Sequence, residues 1–241
     1  MTFYSQRFSL VFLLVAWTDS TADFHATLTA TSDYIGRGYS KSDGNFAGRA
    51  NIDYQLDGGG YLGVSVTNVN FGDHDFDDPA RFEITPYLGW SFGLSDDLRL
   101  ELQWSRYMYD GNIFGHQSDY NEFYALAHYL DLFTVRASFS EDYYDQGNVA
   151  GDYELTGRYP VTDSVEISSS IGYSQTKSVL EYDYLYWNAG MTYFYKFAAL
   201  DFRYFDALEV TPHDETVIIN PWKYDPTVIQ SSFVFSFSIG F

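Results

Sequence analysis

The sequence predicts an all-β fold: an antiparallel, up-and-down β-barrel of about twelve strands that spans a membrane. Three features predict it. From residue 24 onward, apolar and polar residues alternate with a period of two, the period of a β-strand. The connections between the alternating segments are short and long in turn, as in outer-membrane barrels. The final segment carries phenylalanine at alternate positions up to the last residue.

The composition excludes several classes of protein. The 241 residues include 33 Asp and Glu against 13 Lys and Arg, a net charge of −20, so we expect no nucleic-acid partner. The absence of cysteine excludes disulfides, thiolate nucleophiles and cysteine-bound metals. With 46% hydrophobic residues, the chain is too apolar to be disordered.

Residues 1–22 have the three-part pattern of a secretory signal peptide. Residues 1–7 carry one positive charge, residues 8–17 are almost entirely apolar, and residues 20–22 are small. The apolar run is too short for a membrane helix, which needs about 20 residues. The alternative is a buried first helix or strand. We expect cleavage near Asp23 and a single barrel domain over residues 23–241.

Twelve segments alternate strongly enough to be predicted as strands. Residues 81–92 show the pattern, because Phe82 and Ile84 share one face while Arg81 and Glu83 share the other. An even number of strands places both termini at the short-turn end, which is periplasmic in outer-membrane barrels. The predicted strands are 24–35, 45–56, 61–71, 81–92, 98–109, 120–130, 132–142, 152–160, 165–175, 182–195, 197–206 and 228–241. The predicted long loops are 36–44, 72–80, 110–119, 143–151, 176–181 and 207–227.

The position of the charged residues predicts which face of each strand is turned to the lumen. An Arg or Lys facing lipid at the midplane costs about 2–4 kcal/mol, so a set of outward charges would exceed the roughly 5–15 kcal/mol stability of a domain. The apolar face must therefore contact lipid, with Tyr and Trp near its edges. The predicted lumen-facing charges are Arg49, Asp53, Arg81, Glu83, Arg99, Glu101, Arg136, Glu154, Arg158 and Glu166.

The last strand favours a barrel over the alternative, a secreted β-sandwich, whose strands also alternate. A soluble sandwich rarely keeps an apolar face to its last residue, and its strands are seldom this long. The closing SFVFSFSIGF resembles the C-terminal targeting strand of bacterial outer-membrane proteins. The resemblance implies an assembly signal read by the barrel-assembly machinery, formed by Phe233, Phe235, Phe237, Ile239 and Phe241.

The beginning of the predicted mature chain resembles the opening signature of the TorF-like porin family of proteobacteria. That signature is S-D-Y, two residues, R-G, one residue and S, and here Ser32 begins it, Arg37 and Gly38 continue it and Ser40 ends it. An apolar strand, a Gly-rich turn and the sequence YLGV then follow, as in that family. The detailed match covers roughly residues 28–71. The resemblance implies a barrel and leaves the substrate undefined.

Asp33 and Arg37 in this signature are four residues apart, so in a strand they would share the inward face and line the pore. If the first hairpin brings Asp33 opposite Arg49, the pair would contribute about 0.2–1 kcal/mol. Gly36 and Gly38 would form a bulge or bend at the rim. Two interpretations remain open: a rim salt bridge that fixes the hairpin, and a contact to solute.

The loop over residues 72–80 carries four carboxylates around His74. Acidic oxygen-rich loops can bind a hard cation such as calcium, but this loop lacks the glycine and bidentate Glu of an EF-hand. The alternatives are a solvated acidic loop and one bridged by divalent ions to lipopolysaccharide. We predict no metal site, and an acidic mouth formed by Asp73, Asp75, Asp77 and Asp78.

A barrel enzyme is the rival class. A phospholipase needs a Ser–His pair at the rim; His116 with Ser118, and His128 with Ser138, supply the residue types without a family motif. A protease needs paired Asp and a His–Asp dyad, for which Asp73, His74, Asp75 and His213-Asp214 lack a recognised spacing. We therefore expect no enzyme activity, no catalytic residue and no cofactor.

The favoured function is a channel in the bacterial outer membrane. Eight strands enclose a side-chain-filled interior and 16–18 an open pore, so twelve predict a narrow passage. A lumen of mixed charge behind acidic loops favours passive diffusion of small neutral or cationic solutes. The alternative is a structural or adhesive barrel. The expected partners are outer-membrane lipid, lipopolysaccharide, the barrel-assembly machinery and small solutes; the sequence does not define the oligomeric state.

Overall fold

The computed structural model describes residues 23–210 and 231–241, and over these residues the chain forms a closed antiparallel barrel of twelve strands. This confirms the predicted fold and strand number. The barrel strands are β1 Phe24–Thr31, β4 Ala47–Gln55, β5 Gly60–Asn68, β6 Phe82–Gly93, β7 Leu98–Tyr109, β8 Tyr120–Tyr129, β9 Phe133–Ser140, β10 Ala150–Thr162, β11 Val165–Gln175, β12 Tyr184–Tyr195, β13 Ala198–Glu209 and β14 Ser232–Gly240. The predicted signal peptide, residues 1–22, lies outside the described residues.

Three short elements complete the described structure. Strands β2 (Ile35–Gly36) and β3 (Tyr39–Ser40) pair with each other as a separate small sheet. A 3₁₀ turn covers Tyr143–Asp145, and helix α1 covers Lys177–Leu180. Within the described ranges, neither helical element has the length or the apolar character needed to cross a membrane.

The first and last strands close the barrel. Strand β1 pairs with β4 on one side and β14 on the other, with Thr29 opposite Ser238 across the closing seam. The hydroxyls of these two residues are 2.9 Å apart. At the end of the seam, the backbone N–H of Phe241 donates to the carbonyl of Ala26 at 2.8 Å. Closure leaves no unpaired edge in the barrel wall.

The two faces of the wall differ as the period of two predicts. On β4, Ile52 and Tyr54 are exposed on the outside, whereas Asn51 and Asp53 are half-buried on the inside. On the last strand, Phe233, Phe235 and Phe237 are exposed outward, and Val234 between them is buried. The outer surface is therefore apolar and aromatic, and the polar side chains line the lumen.

Short and long connections alternate around the barrel. The short ones are 56–59, 94–97, 130–132, 163–164 and 196–197. The start of β1 and the end of β14 lie at the same end of the barrel as these short turns. The long ones are 32–46, 69–81, 110–119, 141–149, 176–183 and 210–231. Most of the last connection lies outside the described residues, as do 228–230 of the predicted final strand and most of the predicted loop 207–227.

The first hairpin differs from the prediction in both length and register. Strand β1 ends at Thr31 instead of continuing to residue 35, and Thr29, not Asp33, lies opposite Arg49. The predicted Asp33–Arg49 cross-strand pair is therefore wrong. The reason is that the chain leaves the wall after Thr31 and passes residues 32–46, here called the lumenal segment, into the barrel.

Candidate functional site: the barrel lumen

Nine of the twelve residues predicted to line the pore are on the inward face of a barrel strand. Each is half-buried or buried, while its outward neighbours on the strand are mostly exposed. Opposite charges lie close to one another along this face, so the lumen carries no field of a single sign. The nine residues are Arg49, Asp53, Glu83, Arg99, Glu101, Arg136, Glu154, Arg158 and Glu166.

The other three predicted lining residues are not in barrel strands. Arg81 precedes β6 and is exposed, and its backbone N–H donates to the Asp110 carboxylate at 2.8 Å. Its side chain therefore lies at the outer rim of the wall. Asp33 and Arg37 belong to the lumenal segment and reach the interior because that segment folds inward.

Toward the short-turn end of the lumen, Glu101 on β7 organises a cluster of polar side chains. Its Oε2 is 3.4 Å from Nη1 of Arg99 and 3.3 Å from Nε2 of His128. Its Oε1 accepts a hydrogen bond from the hydroxyl of Tyr61. Hydrogen bonds of this kind allow a carboxylate to remain ionised inside the barrel.

Halfway around the wall, Arg136 on β9 joins two acidic residues of β10. Its Nη2 is 3.1 Å from the Asp152 carboxylate and 3.3 Å from that of Glu154. The hydroxyl of Tyr186 donates to both oxygens of Asp152 at 3.0 Å. Ion pairs and hydrogen bonds inside the lumen therefore link β9, β10 and β12.

Arg37 of the lumenal segment inserts into the opposite wall. Its Nη2 is 2.7 Å from Oε1 of Glu122 and donates at 3.1 Å to the hydroxyl of Tyr124. Its Nε is 3.7 Å from Asp152. Glu122 and Asp152 are only 2% and 1% exposed. The segment therefore crosses the barrel and neutralises two buried carboxylates on the far side.

Lys41 gives the segment a second anchor on the near wall. Its Nζ is 2.6 Å from Oε2 of Glu83, whose other oxygen accepts from the hydroxyl of Tyr34 at 2.9 Å. The hydroxyl of Tyr109 also donates to Glu83, at 3.0 Å. Both cations of the lumenal segment therefore form ion pairs with lumenal carboxylates.

These pairings hold both cations in their charged form. Burial alone would lower the pKa of the Lys41 ammonium, but the attraction of Glu83 outweighs it and the pKa lies well above the usual range. Burial likewise opposes the charge on Arg37, and Glu122 with Asp152 raises its pKa well above the ordinary value. Both cations therefore remain charged at neutral pH.

Gly38 lies between β2 and β3, in a turn that packs against β12 and β13. Its φ is +80°, and a Cβ there would be 2.9 Å from the Cβ of Ala207 and 3.0 Å from that of Tyr186. Only a residue without a side chain fits both the backbone conformation and the space. The predicted bend is therefore present, but it lies inside the barrel instead of at its rim.

Buried tyrosines fill the lumen around the lumenal segment. The hydroxyls of Tyr39 and Tyr182 are 2.9 Å apart, and the rings of Tyr39 and Tyr184 pack edge to face with centroids 4.9 Å apart. Tyr143 and Tyr144 enter from the connection before β10. We call this set the aromatic cluster: Tyr39, Tyr120, Tyr143, Tyr144, Tyr182, Tyr184 and Tyr186, all buried. It occupies the lumen at the long-loop end.

The acidic loop presents three of its four predicted carboxylates to solvent. Asp75, Asp77 and Asp78 are exposed, whereas Asp73 is 2% exposed and accepts the backbone N–H of Phe114 at 2.8 Å. Asp73 therefore ties two loops together and is not a mouth charge. Within the described residues, no group of three His, Asp or Glu side chains is arranged to hold a metal ion.

Neither Ser–His combination considered from the sequence forms a Ser–His hydrogen bond. Ser118 donates to the backbone carbonyl of His116 at 3.1 Å instead of to its ring. His128 pairs through Nδ1 with Thr134 at 3.1 Å, and Ser138 donates to Glu122 at 2.6 Å. Neither hydroxyl is therefore paired with the histidine that a Ser–His nucleophile requires. His213-Asp214 lies outside the described residues.

The family follows from a match along most of the sequence. A family model described as "Bacterial protein of unknown function (Gcw_chp)" matches residues 15–219. The chain belongs to the Gcw_chp family. No curated protein matches the sequence significantly.

Several solved structures resemble this Gcw_chp barrel in fold. The NanC porin aligns with a TM-score of 0.57 at 8% identity, covering 89% of this chain and 98% of that one. The KdgM porin aligns with a TM-score of 0.54 at 9% identity, covering 90% and 99%. A KdgM structure in complex with disordered oligogalacturonate gives 0.52 at 8% identity, covering 92% and 98%. At such low identity the likeness establishes the fold alone.

Sequence reasoning missed several lumenal charges that the structure brings together. Glu122 and Asp152 receive Arg37, and on β13 Nη2 of Arg203 is 3.0 Å from Asp201. The period of two could have found them, since Asp201 and Arg203 flank the outward Phe202. No local pattern indicated that Arg37 would reach the opposite wall.

Proposed function

We propose that this Gcw_chp protein is an outer-membrane channel for the passive diffusion of small neutral or cationic solutes. The single observation that carries the proposal is a closed barrel whose outside is apolar and whose inside is lined by hydrogen-bonded charges. A wall of this kind suits a bilayer on one side and water with polar solutes on the other. The similarity of this barrel to the folds of the KdgM and NanC porins also supports the proposal.

The outer surface supports insertion into a membrane. Leu88, Trp90 and Leu102 are each about half exposed on the outside of neighbouring strands, a patch that water would disfavour. The lumenal charges could not occupy that surface without costing about 2–4 kcal/mol for each Arg or Lys at the midplane. Within this proposal, the short turns and both termini are periplasmic and the long loops face outside.

The width of the lumen supports small solutes. Twelve strands lie between the side-chain-filled barrels of eight strands and the open pores of 16–18. The lumenal segment and the aromatic cluster narrow the passage further at the long-loop end. The conducting path must therefore run beside the segment or open when the segment moves.

The charges support neutral or cationic solutes. Inside the lumen Arg and Glu lie in pairs such as Arg99–Glu101, so neither sign dominates. At the long-loop end, the exposed carboxylates of Asp75, Asp77 and Asp78 raise the local concentration of cations. The mouth then sets the sign of selectivity and the lumen sets the size limit.

The biogenesis expected from the sequence completes the proposal. Residues 1–22 direct export, the exposed phenylalanines of β14 with Phe241 form the signal for the barrel-assembly machinery, and the acidic loops meet lipopolysaccharide. The signature from Ser32 to Ser40 supports kinship with TorF-like porins. In the structure, these residues form the inward-folded part of the lumenal segment.

A second candidate is a non-conducting structural or adhesive barrel. The aromatic cluster favours it, because Tyr144, Tyr182 and Tyr184 are each no more than 2% exposed. Rings packed this closely resemble a protein core more than a channel lining.

Osmotic swelling of proteoliposomes distinguishes the two candidates. Vesicles containing the folded protein are diluted into isotonic glycerol, arabinose or sucrose, and vesicles with heat-unfolded protein serve as the control. A channel of the proposed size gives rapid swelling in glycerol and progressively slower swelling in the larger sugars. Swelling equal to the control in all three solutes would overturn the channel proposal and favour the structural barrel.

A further inference from the structure

A cavity of about 200 Å³ lies inside the barrel between the lumenal segment and the wall formed by β13, β14, β1, β4 and β5. Asp33 and Tyr34 of the segment form one side of it. Arg49, Asp201 and Arg203 project from the strands that form the other sides. At about 30 Å³ for each water, the space holds roughly six waters or one small organic molecule.

Arg49 carries a positive charge on the cavity wall that no carboxylate contacts within the described residues. Its Nε donates to the hydroxyl of Thr67 at 2.9 Å, and its guanidinium lies 4.6 Å from the centre of the Tyr34 ring. Among the described residues, no carboxylate lies within 4.0 Å of it. A half-buried guanidinium with no carboxylate in direct contact is a good site for an anionic oxygen, because its remaining N–H groups bind carboxylates in a planar fork.

Asp33 is the matching charge of opposite sign. Its Oδ1 accepts hydrogen bonds from the hydroxyls of Ser40 at 2.5 Å and Ser42 at 2.8 Å. Across the described ranges, no Lys, Arg or His lies within 4.0 Å of its carboxylate. The serines orient the carboxylate but bring no positive charge to it.

The other two charges on the cavity satisfy each other. Arg203 donates to Asp201 at 3.0 Å, and its remaining groups bond to Asn188 at 2.7 Å and Ser168 at 2.8 Å. Of the four charges on the cavity wall, Arg49 and Asp33 are therefore the two left for a ligand.

From this geometry we infer that the cavity is a binding site for a small zwitterion, such as an α-amino acid, with its carboxylate on Arg49 and its ammonium group on Asp33. A zwitterion satisfies both charges at once and leaves the net charge of the lumen unchanged. The site would select net-neutral solutes that carry both signs over uncharged solutes of equal size. Its role in transport rests on the proposed channel function.

Saturation-transfer NMR of the folded protein in detergent tests the site without requiring conduction. The probes are L-alanine, propionate, which lacks the ammonium group, ethylammonium, which lacks the carboxylate, and glycerol, which lacks both. We expect alanine to bind at least tenfold more tightly than the other three. Equal affinities for alanine and propionate, or no saturation transfer to alanine, would overturn the inference.

Two variants locate the binding, with Lys196→Gln as the control because Lys196 lies in a turn outside the lumen. Arg49→Gln and Asp33→Asn should each weaken alanine binding about tenfold, equivalent to about 1.4 kcal/mol, and Lys196→Gln should leave it unchanged. A slower gel migration after boiling verifies that each variant is folded. Unchanged alanine affinity in a folded Arg49→Gln or Asp33→Asn protein would contradict the assignment.

Swelling with the same solutes separates this inference from the proposed function. If glycerol permeates but alanine does not bind, the channel stands and the zwitterion site is wrong. If alanine binds while no solute permeates, the site is supported and the channel proposal is wrong.

Discussion

Replacing Arg37 with Met tests whether the lumenal segment is held in the barrel by its ion pairs. The substitution keeps much of the side-chain volume but removes the charge from Glu122 and Asp152, both almost fully buried. Removing one partner of a buried ion pair costs about 3–5 kcal/mol. We expect a cost at the low end of this range, because both carboxylates keep another partner. Asp152 keeps its ion pair with Arg136 at 3.1 Å, and Glu122 still accepts the hydroxyl of Ser138 at 2.6 Å.

A loss of about 3 kcal/mol shifts the equilibrium between the docked and released segment roughly a hundredfold toward release. Lys41 then becomes accessible, so trypsin should cut after it much faster in Arg37→Met than in the unaltered protein. Mass spectrometry of the products identifies the cut. Single-channel conductance should also rise, because the released segment no longer occupies the lumen.

Arg158→Met is the matched control. Arg158 also faces the lumen, but it donates to Thr134 on the wall, at 2.9 Å, and within the described residues it makes no hydrogen bond or ion pair with the lumenal segment. It should leave cleavage after Lys41 unchanged. Equal cleavage rates in Arg37→Met and the unaltered protein would show that the ion pairs do not hold the segment.

Three further predictions concern the mouth, the segment turn and assembly. Changing Asp75, Asp77 and Asp78 together to Asn should lower the cation preference at low salt. The effect should fade at high salt, because the Debye length is already roughly 8 Å at 0.15 M. Reversal potentials that do not change would contradict the role of the mouth. Gly38→Val should displace the lumenal segment, since the φ of +80° at this position and the nearby wall exclude a side chain. Tryptic mapping should then give the same cleavage as in Arg37→Met. An unchanged map would count against the close packing of Gly38 on the wall. Phe241→Asp should reduce the folded protein in outer-membrane fractions, whereas normal amounts would show that the last residue is dispensable for assembly.

The barrel wall could be predicted from the sequence because strand geometry is local. Alternation places Ile52 outside and Asp53 inside whatever the rest of the chain does. Turn residues then divide the chain into segments, and the cost of charges in lipid decides which face is inward. The same reasoning could have added Asp201 and Arg203 to the lumenal set.

The contents of the lumen could not be predicted in this way. Arg37 and Tyr124 are 87 positions apart and meet only because the barrel closes and the segment crosses it. The sequence around Asp33 continues the strand pattern, so nothing local shows that the chain leaves the wall after Thr31. Asp73 is a similar case, since its burial depends on Phe114 in a different loop.

Single-channel recording in a planar bilayer with asymmetric KCl shows directly whether the barrel conducts ions. We expect discrete conductance steps, small for a barrel protein, with a reversal potential that shows preference for K⁺ over Cl⁻ at low salt. Protein that is folded and inserted, as shown by its heat-dependent gel migration and its protection from protease, yet gives no conductance steps would contradict the channel.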